Sequence, residues 1–141
     1  MPASGGRAVV FKVTDDRLGE WSVLRVAGEL DLVTSPVLRQ RVHEAVAQGR
    51  HHLVLDLSDV FFCDSSGVGV LIAARRLIRS CRGRLRLILP AGGADGTSRG
   101  SGGEHGGGAH VNRVLGALGV RRLFDVYEDL ATAVAEEPLS A

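Results

Sequence analysis

Residues 53–90 read LVLDLSDVFFCDSSGVGVLIAARRLIRSCRGRLRLILP, and this stretch decides the fold. It opens on Leu53-Val54-Leu55-Asp56-Leu57, a short, almost continuously apolar run of the kind found in a strand covered on both faces. Val68, Leu71, Ile72, Ala74, Ile78 and Cys81 then recur at helical spacing, and Gly83 follows the expected end of that helix. Leu85 to Leu89, closed by Pro90, supplies the next strand. Strand, helix and strand within about 35 residues make a βαβ unit, which implies parallel pairing and a right-handed crossover.

Upstream, Ala8 to Val13 and Trp21 to Ala27 read as two strands joined by a turn over Asp15-Asp16-Arg17-Leu18-Gly19. Trp21, Val23 and Arg25 alternate with Ser22, Leu24 and Val26, so the second strand is expected to be covered on both faces. Gly28-Glu29-Leu30-Asp31 is expected to leave the sheet. Thr34-Ser35-Pro36 then starts a helix, with a hydroxyl at the cap and proline in the first turn, where its missing N–H costs nothing. Leu38, Val42, Ala45 and Val46 form its apolar face, and Gly49 ends it.

Downstream, residues 91–110 are nearly half glycine and hold no aliphatic side chain larger than alanine. Such a stretch cannot bury enough apolar area to offset its ordering entropy, and it is expected to be a mobile loop. Val111, Val114, Leu115 and Leu118 make a third helix ending at Gly119. Leu123 to Tyr127 reads as an edge strand, and Asp129 caps a last helix through Ala135. The expected architecture is α/β, with a mixed sheet of about five strands and about four helices. One domain over residues 8–136 is expected, interrupted by the 91–110 loop and flanked by a flexible N-terminus, 1–7, and a tail, 137–141.

Composition narrows the function classes. A chain of 141 residues with 45% hydrophobic and 23% charged residues is that of an ordinary globular domain. A formal net charge of +1 argues against binding nucleic acid through bulk electrostatics. No apolar run is long enough to span a bilayer, and Met1 to Gly6 lacks the features of a secretion signal. Cys63 and Cys81 have neither metal-ligand spacing nor the density of a disulfide scaffold, so a reducing, cytoplasmic setting is expected. Lys12 is the only lysine, which we read as a codon-composition bias of the source genome.

Asp64-Ser65-Ser66-Gly67 stands between a strand and a helix start. Backbone N–H groups there lack intrahelical partners, and the helix dipole adds partial positive charge, so a phosphate or carboxylate is stabilised. Gly67 and Gly69 are expected to keep the first turn free of bulk, so that another protein can approach. On chemistry and spacing alone, a simple helix cap by Asp64 is the favoured reading.

The wider pattern adds to this. Val54-Leu55-Asp56-Leu57-Ser58-Asp59-Val60, then Phe62-Cys63-Asp64-Ser65-Ser66-Gly67-Val68-Gly69-Val70-Leu71, resembles the central motif of the STAS-domain anti-sigma factor antagonists. Gly28-Glu29-Leu30-Asp31 precedes it at the family's spacing, and Val114-Leu115, Leu118-Gly119 and Leu123-Phe124 are similar to the family's C-terminal part. The resemblance implies the STAS fold and a partner-switching mechanism. An unphosphorylated antagonist binds an anti-sigma factor that is also a serine kinase, which frees the sigma factor for transcription. The kinase phosphorylates the first serine of the motif, and a protein phosphatase reverses this. Carried onto this chain, the resemblance makes Ser65 the phosphoacceptor and Asp31, Asp64, Ser65, Ser66 and Gly67 the partner-binding set. It implies no catalytic residue, cofactor, metal, nucleic acid or membrane. A different STAS module, such as a scaffold or accessory subunit of a stress-signalling or lipid-transport complex, would keep the fold without reversible phosphorylation.

Other readings fit less well. A nucleophile elbow needs glycine two residues before the serine, and Cys63 stands there. A P-loop needs Gly-Lys-Ser/Thr, and the 91–110 stretch has no lysine. His51 and His52 are adjacent and read as loop residues, not a metal pair. Arg75, Arg79 and Arg82, among the six arginines between Arg75 and Arg86, read as a solvated helix face, with a phosphate-binding or acidic-partner patch as the alternative.

Overall fold

A computed structural model describes residues 10–90 and 107–135. The expected N-terminal arm 1–7, most of the glycine-rich stretch and the tail 137–141 lie outside the described residues. The chain runs β1 (Lys12–Leu18), β2 (Trp21–Leu30), α1 (Ser35–Ala47), β3 (His52–Cys63), α2 (Ser65–Ser80), β4 (Arg84–Ile88), α3 (Gly107–Ala117), β5 (Asp125–Tyr127) and α4 (Leu130–Val134), with a 3-10 turn at Arg121–Leu123. The sheet order follows the sequence. β1 pairs antiparallel with β2, and β2 to β5 are all parallel.

Leu24, Leu55 and Leu87 stand side by side on the three central strands, fully buried. They face a core completed by Leu38 and Val42 of α1, Leu71 and Ile78 of α2, and Val111 and Leu115 of α3. The opposite sheet face carries Val23, Val54 and Ile88, covered by Ala133, Leu130 and Val134 of α4. Burial on both faces is why β3 reads as a continuous apolar run. On that second face Arg86 is buried, with its guanidinium carbon 4.5 Å from the centre of the Trp21 ring and 5.2 Å from that of Tyr127. Its Nη1 donates to the Ala133 carbonyl at 2.7 Å, so the charge is held by aromatic faces and a carbonyl instead of water.

Several boundaries differ from the sequence reading. β1 extends to Leu18 and turns at Gly19-Glu20, because an edge strand pairing along its whole length with β2 needs no apolar alternation. β2 runs to Leu30 instead of leaving the sheet after Ala27, with register shifts between Arg25 and Ala27 and between Gly28 and Glu29. These irregularities break the period-two pattern on which strand length was judged. β3 likewise continues to Cys63. α3 begins at Gly107, inside the stretch read as loop. Arg121–Leu123 is a 3-10 turn, leaving only Asp125–Tyr127 as strand. Asp129 caps α4 as expected, accepting from the Thr132 N–H.

At the end of α2 it is Arg82, not Gly83, that takes the left-handed conformation (φ +62°). Gly83 is needed for another reason: a Cβ there would sit 2.1 Å from the His51 carbonyl oxygen. No helix among the described residues is long and apolar enough to cross a membrane.

Candidate functional site

β2 and β3 end together. Leu30 pairs with Cys63, so the two residues that follow, Asp31 and Asp64, stand at the same rim of the sheet. The Asp64 N–H donates to the Leu30 carbonyl at 3.2 Å and ties the two strand ends. At Asp64 the backbone is extended, and the chain turns directly into α2. The helix therefore starts at Ser65, three residues before the apolar stripe begins.

Asp64 is a true N-cap. Its Oδ1 accepts the N–H groups of Ser66 at 2.8 Å and Gly67 at 3.1 Å, and its carbonyl accepts that of Val68 at 3.1 Å. Of the two readings of this helix start the cap is the one realised: the carboxylate of Asp64 already takes two of the donors, the Ser66 and Gly67 N–H groups, that a bound anion would use. Replacing Asp64 with alanine is expected to cost about 1 kcal/mol of stability, the usual worth of such a cap, measurable by urea denaturation.

Ser65, the first helical residue, is exposed, and Ser66 is half-buried. Among the described residues neither hydroxyl has a hydrogen-bond partner. Gly67, by contrast, is buried. A Cβ at this position would lie 2.8 Å from the Leu30 carbonyl oxygen, Leu30 Cγ and Cys63 Sγ. Its missing side chain lets α2 seat on the β2 end, which is an internal packing role for this glycine. Gly69 is exposed with open space around it, as a surface for close approach requires.

Asp31 builds the neighbouring turn. Its Oδ1 accepts the N–H groups of Val33 and Thr34, each at 3.0 Å. The Thr34 hydroxyl donates to the Glu29 carbonyl at 2.7 Å and accepts the Asp31 N–H at 2.9 Å. Thr34 therefore does not cap α1 with its side chain, as its position before Ser35-Pro36 suggested, because its hydroxyl is spent on the turn behind it. The Thr34 N–H, followed by weaker bonds, holds the Asp31 carboxyl below its ordinary value of 3.8. A lowered folded-state value means that the turn is supported above the ordinary value and loses that support as pH falls through the lowered one. The protection of the Val33 and Thr34 amides, taken after correction for the intrinsic pH dependence of exchange, is expected to fall over that acidic window and stay flat above it.

The sequence reading missed the apolar character of this rim. Leu32 and Val33 are 73% and 79% exposed, and Val37, Phe61 and Phe62 are also open to solvent. Phe62 stacks on His110 of α3, with ring centres 5.5 Å apart. Two consecutive apolar residues after Asp31, and two phenylalanines just before the cap, were the available signal. Beneath the rim, burial and then the charge of Asp64 push the Cys63 thiol up to about 12, so it stays protonated and unreactive. No group of three or more His, Cys, Asp or Glu side chains among the described residues is placed to hold a metal ion.

This geometry agrees with what the chain is similar to. A family model described as "Mlab, STAS domain" matches residues 13–99, more than half of the chain. An anti-sigma F factor antagonist of Paenibacillus polymyxa is 30% identical over 117 residues, covering 81% of this chain and 84% of that protein. An anti-sigma-B factor antagonist of Bacillus subtilis is 34% identical over 64 residues, covering 45% of this chain and 58% of that one. The crystal structure of an anti-sigma factor antagonist from Mycobacterium paratuberculosis superposes with a TM-score of 0.69 at 25% identity, over 89% of this chain and 92% of that one. The chain belongs to the STAS-domain family.

Proposed function

We propose that this protein is an anti-sigma factor antagonist, a binding protein and not an enzyme, switched by phosphorylation of Ser65. The observation that carries the reading is the state of Ser65. It is an exposed, unbonded hydroxyl at the first position of a capped helix, on a rim with exposed apolar side chains at Leu32, Val33 and Phe61. A kinase needs an accessible hydroxyl, and a protein partner needs apolar area to bury around it. The similarity to anti-sigma factor antagonists supports the same reading. The partner is then an anti-sigma factor with serine-kinase activity, and a phosphatase restores the free hydroxyl.

The electrostatics favour release on phosphorylation. A phosphate adds a charge of about −1.5 to −2 and three acceptor oxygens. With Asp64 holding the Ser66 and Gly67 donors, that charge is left facing the partner beside a second carboxylate. The test is incubation with ATP and the anti-sigma kinases of the same genome, comparing wild type with Ser65→Ala. Phosphate on the wild type alone supports the reading; transfer from none of them favours a STAS scaffold or accessory subunit.

A further inference from the structure

The arginines at the far end of α2 gather into a second site. Arg75 and Arg79 stand one helical turn apart, Arg84 opens β4, and Arg122 lies in the 3-10 turn before β5. With one carboxylate, Asp125, they line a cleft of about 450 Å³, which Arg86 also borders although its guanidinium is committed to Trp21, Tyr127 and the Ala133 carbonyl. The position of the cleft follows from strand lengths: β5 pairs with β4 only from Arg86 onward, so Arg84 and Leu85, paired with β3 on one side, have no strand on the other. The cleft lies at this step, between the last turns of α2 and the 3-10 turn.

The charges of Arg75, Arg79 and Arg122 have no ion-pair partner among the described residues. Arg75 Nε donates to the Leu123 carbonyl at 2.7 Å, which fixes that guanidinium at the wall of the cleft. Arg79 and Arg122 are exposed. The C-terminal end of a helix favours one nearby cation, and Arg79 meets that preference. It does not account for Arg75 and Arg122 bordering the same concavity as Arg79, where like charges repel.

We propose that this cleft binds a small polyanion carrying two or more adjacent phosphoryl groups. Guanidinium forks match phosphoryl oxygens bidentately, and several forks match a ligand with several such groups. The volume falls in the range of about 300 to 1,000 Å³ usual for small-molecule sites, whereas an acidic protein surface calls for a broader, flatter patch. A rise of about 1.5 Å per residue places Arg79 about 21 Å along α2 from Ser65, so the site stands apart from the switch and does not depend on how Ser65 is read.

The test is calorimetric titration of the full chain with tripolyphosphate, orthophosphate and hexaglutamate at one ionic strength. Tripolyphosphate is expected to bind saturably at one site, about tenfold or more tighter than orthophosphate. Arg79→Gln and Arg122→Gln, exposed side chains whose loss leaves the fold intact, are each expected to weaken it by about fivefold or more. Arg113→Gln, an exposed arginine on α3 outside the cleft, is expected to change it by less than about twofold. Absence of saturable binding overturns the proposal, as does an equal loss in Arg113→Gln, which means bulk charge alone. Tighter binding of hexaglutamate overturns it in favour of an acidic protein partner.

Discussion

A Ser65→Asp variant is expected to bind its anti-sigma partner at least about a hundredfold more weakly than wild type, while its melting temperature stays nearly unchanged. The fold loses nothing, because the Ser65 hydroxyl is exposed and bonds to no described residue. A carboxylate in the first turn of a helix is itself mildly favourable. The complex bears the cost instead. Packing a partner over this rim strips water from a new charge beside Asp64, whose own carboxylate holds the local N–H donors. A penalty of about 2.8 kcal/mol accounts for two decades, and one unpaired charge at an interface reaches that size. Ser65→Ala removes the acceptor without adding charge and is expected to keep partner affinity within a few-fold of wild type. Isothermal titration of the three proteins, with thermal melts alongside, checks both halves of this expectation.

Gly67→Ala is expected to destabilise the fold by about 2 to 3 kcal/mol, against the ordinary helix preference for alanine. At an exposed position in mid-helix, glycine to alanine gains about 1 kcal/mol. At Gly67 the new methyl meets the Leu30 carbonyl oxygen, Leu30 Cγ and Cys63 Sγ, each at 2.8 Å. The oxygen belongs to the backbone of a central strand and accepts the Asp64 N–H, so it cannot simply rotate away. α2 must lift, and the rim bearing Ser65 lifts with it. Gly69→Ala is the matched control: it is exposed with nothing within 4 Å, and is expected to stabilise by about 0.5 to 1 kcal/mol. Opposite signs at two glycines two residues apart, read from urea midpoints, separate the contact from the propensity.

The βαβ unit was legible because its signals are local: an apolar run for a doubly covered strand, a helical stripe, and a second run closed by Pro90. The ends of β2 and β3 were not. Their last residues, Gly28 to Leu30 and Ser58 to Cys63, pair through shifted register, and no period-two pattern marks them. That hidden extension is what carries Asp31 and Asp64 to one rim. The cap at Asp64 was visible as residue type and spacing. Its consequence, that the helix donors are already occupied, depends on the carboxylate's rotamer and had to be seen in three dimensions. Gly67 shows the same limit: a glycine in a helix start reads as open space, whereas here it marks the closest approach of α2 to β2.

The central claim is that phosphate on Ser65 releases the partner without unfolding the protein. It is tested most directly by titrating the anti-sigma kinase of the same genome, with ADP in place of ATP, against the protein unphosphorylated and singly phosphorylated on Ser65. Affinities at least about a hundredfold apart in favour of the unphosphorylated form are expected, with matching melting temperatures. Equal affinities, or a phosphorylated form that has lost its fold, contradict it.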